Sequence, residues 1–201
     1  MSQSIVAISG SPSINSKSAR LADHVLQKLD TQNLYTRHFA LRSLPAEALV
    51  AADKCNSEIA EVLLAIEAAD GLVISTPIYK ASYSGLLKLF LDLLPQFALA
   101  GKAVLPIASG GSLAHVLALD YGLRPVLQSM GARHIVQSQF VLESHLLIVG
   151  GDVQIKDDAA SAFYEAIRHF KHSVQGGPAL CFRSWSTPWW ACAPVTRASW
   201  T

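Results

Sequence analysis

Ser11, Ser13, Ser16 and Ser18 crowd with Lys17 and Arg20 into one short stretch, "SGSPSINSKSAR" at 9–20. Hydroxyls can donate to the oxygens of an anion and the cations can offset its charge. The stretch follows an apolar run, "IVAI", and precedes a helical pattern. A strand feeding a helix gathers free backbone N–H groups where the helix dipole also favours negative charge. Gly10 allows a tight turn and Pro12 stiffens it. This single glycine fits neither G-x-G-x-x-G nor G-x-x-x-x-G-K-[ST]. Dinucleotide loops need several glycines so that a pyrophosphate can approach the backbone. A bowl of hydroxyls suits a terminal phosphate monoester instead, the competing reading being a serine-rich turn with a serine N-cap.

Two further stretches carry polar or aromatic groups just beyond apolar runs. In "STPIYKASYSGLLKLFLDLLP", 75–95, Pro77, Ile78, Tyr79, Lys80 and Tyr83 suit a flat, electron-poor ring: Pro77 and Ile78 would pack on it, Tyr79 would stack on or edge it, and Lys80 would approach its polar rim. Simple surface packing is the alternative for the two tyrosines. In "ASGGSLAHV", 108–116, Ser109, Gly110 and Gly111 allow close backbone approach to ring carbonyl or nitrogen acceptors. His115 reads as a structural histidine more readily than a catalytic one.

The elements that must position these loops are strands at 5–9, 71–76, 103–108 and 135–141, apolar throughout as buried parallel strands are, with a weaker one at 34–41. Helical patterns fall between and after them, at about 18–29, 56–69, 83–94, 112–130 and 157–172. This alternation predicts a doubly wound α/β fold with helices on both faces, and five main strands suit the flavodoxin-like order 2-1-3-4-5. Ligands of such sheets sit beyond the carboxyl ends of the strands, where all three loops lie. A phosphate site on one loop and a planar-ring site on the other two describe a mononucleotide with a flat aromatic base, and FMN fits that shape.

The 201 residues, 51% of them hydrophobic, are enough for one domain with a full core. A net charge of +1 with scattered cations leaves no footprint for nucleic acid or an anionic membrane. No signal peptide or membrane-spanning run is legible, so a cytoplasmic protein is expected. Cys55, Cys181 and Cys192 lack metal-site or disulfide-framework spacing and read as inert thiols. The domain is expected to span 1–174. From 175 to 201 the sequence changes character, holding all four Trp and no visible period. That tail reads as disordered, partner-binding or a frame artefact.

The segments "GSPS....KS", "TPIYKASYSGLLKLFLDLLP" and "LPIASGGSLAHVLALDYGLRPVL" resemble the NAD(P)H-dependent FMN reductases of the flavodoxin-like superfamily. Within that family they look most like the reductase component of two-component alkanesulfonate monooxygenases. The resemblance covers about residues 4–173. It implies hydride transfer from NADPH, or NADH, to FMN, with reduced FMN handed to a flavin-dependent monooxygenase that desulfonates organosulfonates. It places phosphate contacts on Ser11, Ser18 and Arg20 with Lys17 nearby, and ring contacts on Pro77, Ile78, Tyr79, Lys80, Ser109, Gly110 and Gly111. Loop one departs from the family, with Ser13 where arginine is common and Ala19 where a small polar residue is usual. In the sulfonate-linked members an inserted tyrosine makes a π-bulge at a tetramer interface, and Tyr121 in "LALDYGLRP" holds that place. Hydride transfer needs no protein general base, so none is assigned. The rival readings are a quinone, azo or chromate reductase with permanently bound FMN, and a flavodoxin-like electron carrier, whose expected acidity the net charge of +1 argues against.

Overall fold

The computed structural model describes residues 3–30, 34–150 and 152–176. Its central sheet is built from β1 (Gln3–Ser9), β2 (Leu34–Ala40), β3 (Gly71–Tyr79), the short β4 (Ser82–Tyr83), β5 (Ala103–Gly110), β6 (His134–Ile135) and β7 (Gln139–Leu142). The parallel path runs β2-β1-β3-β5-β6, with β7 also against β5 and β4 folded antiparallel onto β3. This is the flavodoxin-like order, with the fifth strand divided in two.

That division has a covalent cause. The Val136 N–H donates to the Val104 carbonyl, and alternate residues of a strand turn their backbone groups to the same neighbour. Pro106 therefore faces the fifth strand too, and it has no N–H to offer. Pairing of Val104 with Ile135 and of Ile107 with Gln139 accommodates one extra residue on the outer strand, as a bulge does.

Period-two alternation sends the strand side chains to two cores. Val6, Ile8, Leu72, Ile74 and Val104 pack beneath α3 (Ser57–Ala68), α4 (Gly85–Leu91) and α5 (Arg124–Ser129), with the short α2 (Ala46–Val50) at the rim, a helix the sequence reading missed. Ile5, Ala7, Val73 and Leu105 pack under α1 (Lys17–Leu29) and α6 (Asp157–Gly176), where Phe163 and Phe170 are buried. Every one of these strand residues is at most 2% exposed, the reason the strands read as continuous apolar runs. An antiparallel hairpin, β8 (Leu146–Val149) and β9 (Asp152–Ile155), precedes α6 and was not foreseen.

Two expected helices are shorter than their patterns. The first begins only at Gly85, because Tyr83 is taken by β4 and the Ser84 hydroxyl caps the helix by accepting from the Leu87 N–H. The second divides into a 3-10 turn (Leu113–His115), a π-helical segment (Leu119–Leu123) and α5. The final helix continues to Gly176, past the expected boundary at 174, and the rest of the Trp-rich tail lies outside the described residues. Cys181 and Cys192 lie outside the described residues.

Candidate functional site

The parallel sheet delivers the three loops to one edge, at the carboxyl ends of β1, β3 and β5. Loop one is tied directly to loop two: the Gly10 N–H donates to the Ser75 carbonyl at 2.8 Å, and the Ser84 hydroxyl donates to the Gly10 carbonyl. A Cβ on Gly10 would lie 2.7 Å from Leu87 Cβ, so its role is close approach to α4. The buried Ser75 hydroxyl donates to the Ser18 carbonyl at 2.7 Å, and Thr76 Oγ1 accepts from the Ser84 N–H at 3.1 Å. Loops two and three are joined by the β3–β5 register, which sets Pro77 against Ser109.

The hydroxyls of loop one are organised, not loose. Ser16 caps α1 by accepting from the Ala19 N–H, its Oγ lies 2.9 Å from the buried Ser18 Oγ, and Ser11 Oγ accepts from the Ser13 N–H. Ser11 and Ser16 accept from backbone N–H groups and one hydroxyl of the Ser16–Ser18 pair donates to the other, which leaves the Ser11 proton and one proton of that pair for an anion. The first turn of α1 holds no acidic residue. Lys17 stands on this rim and pairs at 2.8 Å with Glu143, just past β7. Arg20, expected beside the phosphate, lines a groove of about 600 Å³ on the outer flank of α1 together with Thr36 and His38 of β2.

On the ring side, Pro77 and Ser109 are buried, Ile78 is half-buried, and Tyr79 is 48% exposed. Lys80 and Ala81 connect β3 to β4 as a two-residue turn, both with left-handed φ, 50° and 62°. Non-glycine residues in that region store strain, which collects at functional sites. The two glycines of loop three separate. A Cβ on Gly110 would meet Phe140 Cζ at 2.8 Å, so packing already requires this glycine, whereas a Cβ on Gly111 would meet nothing within 4 Å. Gly111 thus leaves open space beside exposed backbone, as a close-approaching ring requires. His115 takes the end of the 3-10 turn and is half-buried.

Tyr121 is 79% exposed at the centre of the π-helical segment. Tyr83 packs near Gly122 of that segment, and burial raises its phenol above the ordinary tyrosine value, keeping it neutral. The segment is held from its other side: Asp120 accepts from Arg124 Nε and the Ser138 hydroxyl, while Arg124 also donates to the Ile135 and Val136 carbonyls where the fifth strand breaks.

Sequence reasoning missed these braces, and one more. His38 Nε2 lies 2.9 Å from Ser9 Oγ, and its Nδ1 2.6 Å from Asp23 Oδ1. The order Ser–His–Asp is that of nucleophilic hydrolases. Ser9 is only 1% exposed, so here the relay anchors β2 to the base of loop one. No signal in the linear sequence brings residues 9, 23 and 38 together.

Residues 3–146 match the family model described as NADPH-dependent FMN reductase. The FMN reductase (NADPH) of Pseudomonas putida is 44% identical over 73% of this chain and 75% of its own length. Its counterpart from Escherichia coli K12 is 39% identical over 71% and 75%. The apo structure of the NADH:FMN oxidoreductase EMOB superposes with a TM-score of 0.80, at 52% identity over 88% of this chain and 92% of that one. On these likenesses the chain belongs to the NADPH-dependent FMN reductase family, as an NAD(P)H-dependent FMN oxidoreductase of flavodoxin-like fold.

Proposed function

We propose that this reductase treats FMN as a substrate, reducing it with NADPH, or NADH, and releasing it to a flavin-dependent monooxygenase in the cytoplasm, with sulfonate desulfonation as the pathway. The observation that carries this reading is Tyr121, 79% exposed at the middle of a π turn that abuts β4 of the ring loop. Leu113, Val116 and Leu117 are exposed beside it. An apolar surface of this kind suits a second copy of the chain, in a dimer or tetramer, whose tyrosine would close over the flavin edge and favour release.

Ser11 and Ser18, with Lys17 and the first N–H groups of α1, would hold the phosphate, and Arg20 would supply charge from the outer wall; Pro77, Ile78, Tyr79, Lys80, Ser109, Gly110 and Gly111 would hold the ring. The flavin supplies the hydride-accepting chemistry. What the chain would contribute is position and a fixed field: backbone N–H groups at Gly110 and Gly111 would favour negative charge at the ring's polar edge. No side chain has to take a proton.

Protein freed of flavin should oxidise NADPH only when FMN is added. Undiminished turnover without added FMN, or a stable yellow protein that reduces quinones, would overturn the proposal.

A further inference from the structure

Lys17 is the first residue of α1, placed where a phosphate at the hydroxyl cup needs a cation, and its ammonium is already engaged by an anion from the protein itself. The Glu143 carboxylate reaches it at 2.8 Å from a 3-10 turn that follows β7, one residue beyond Leu142, which pairs with Gly110 of loop three. Lys17 and Glu143 side chains are 34% and 43% exposed, so the part-buried pair still meets solvent and can exchange partners.

We propose that Glu143 is an internal competitor of the flavin phosphate for Lys17, a residue that sets how readily FMN is released. This rests on the reading of loop one as the phosphate site. A phosphate entering the cup draws the Lys17 ammonium from Glu143, and on departure the carboxylate takes it back. FMN affinity is thereby lowered by the strength of the broken pair, and the lysine is never left unpaired. The contribution of a partly exposed pair is about 1 kcal/mol or less, so the effect is up to about fivefold in affinity. Riboflavin, which carries no phosphate, does not draw on Lys17 and is indifferent to Glu143.

The test is equilibrium titration of the flavin-free full chain with FMN and with riboflavin, read by flavin fluorescence, for wild type, Glu143→Gln, Lys17→Met and the double variant. Glu143→Gln is expected to tighten FMN by about three- to fivefold, to leave riboflavin unchanged, and to have no effect on FMN in the Lys17→Met background. Unchanged or weaker FMN binding in Glu143→Gln overturns the competition. So does a gain that persists without Lys17, since Glu143 would then act as a diffuse field on any anion. Wild type that binds riboflavin as tightly as FMN overturns the phosphate site itself. A preference for FMN that Glu143→Gln leaves unaltered overturns only the competition.

Discussion

At the scale of single residues, neighbouring glycines that look equivalent in the sequence have opposite reasons to be glycine. Gly110→Ala forces a Cβ to within 2.8 Å of the Phe140 ring, an overpacking expected to cost about 1–3 kcal/mol in denaturant unfolding. Gly111→Ala meets open space, so stability should stay within about 0.5 kcal/mol while FMN affinity falls. Equal stability losses in the two variants would contradict the assignment. The sequence showed that "SGG" follows a buried strand, but not that a phenylalanine 30 residues away already fills one of the two sites. The same blindness applied to Ser75 and Ser84, whose hydroxyls donate to carbonyls of the distant loop one. The local structure of loop one was legible because strand, serine cap and helix start are consecutive.

At the scale of elements, the strands were readable because burial on both faces leaves uniform apolar runs, and α1 because its cap and stripe are contiguous. The 112–130 region reads as one helix by period alone, yet it folds as a 3-10 turn, a π segment and a short α-helix. Asp120 and Arg124 of this region hydrogen-bond to the broken fifth strand, contacts that the period does not carry. Deleting Tyr121 removes one residue from the π turn and should restore α-helical register. FMN should then be retained at least tenfold more tightly, as seen by equilibrium dialysis and by protein that purifies yellow. Unaltered FMN affinity would remove Tyr121 from the release step.

Across the whole molecule, the two cores respond differently to acid. His24 is buried on the α1–α6 side, its Nε2 3.0 Å from the Tyr164 hydroxyl and its ring beside Phe163. Burial lowers its affinity for a proton, Lys28 lowers it further, and Asp152 partly opposes them. The folded state therefore takes up this proton less readily than the unfolded chain. His24 contributes full stability above the unfolded value near 6.5, and loses it as pH falls below that value toward the folded one. Unfolding free energy should decline as pH falls below about 6.5, and His24→Gln should flatten that slope; an equally steep slope in the variant would exclude His24 as its source.

The Ser84 hydroxyl caps a helix behind the ring loop while holding the carbonyl of Gly10 in the phosphate loop. On the proposed site, the two ends of the flavin would be met by one hydrogen-bonded frame rather than by two loops that must find each other. A frame assembled in advance has little to fold when the flavin arrives and little to unfold when it leaves, so exchange can be fast in both directions. On that reading the chain would work like a dock for a passing cargo, with the mooring points fixed in the quay.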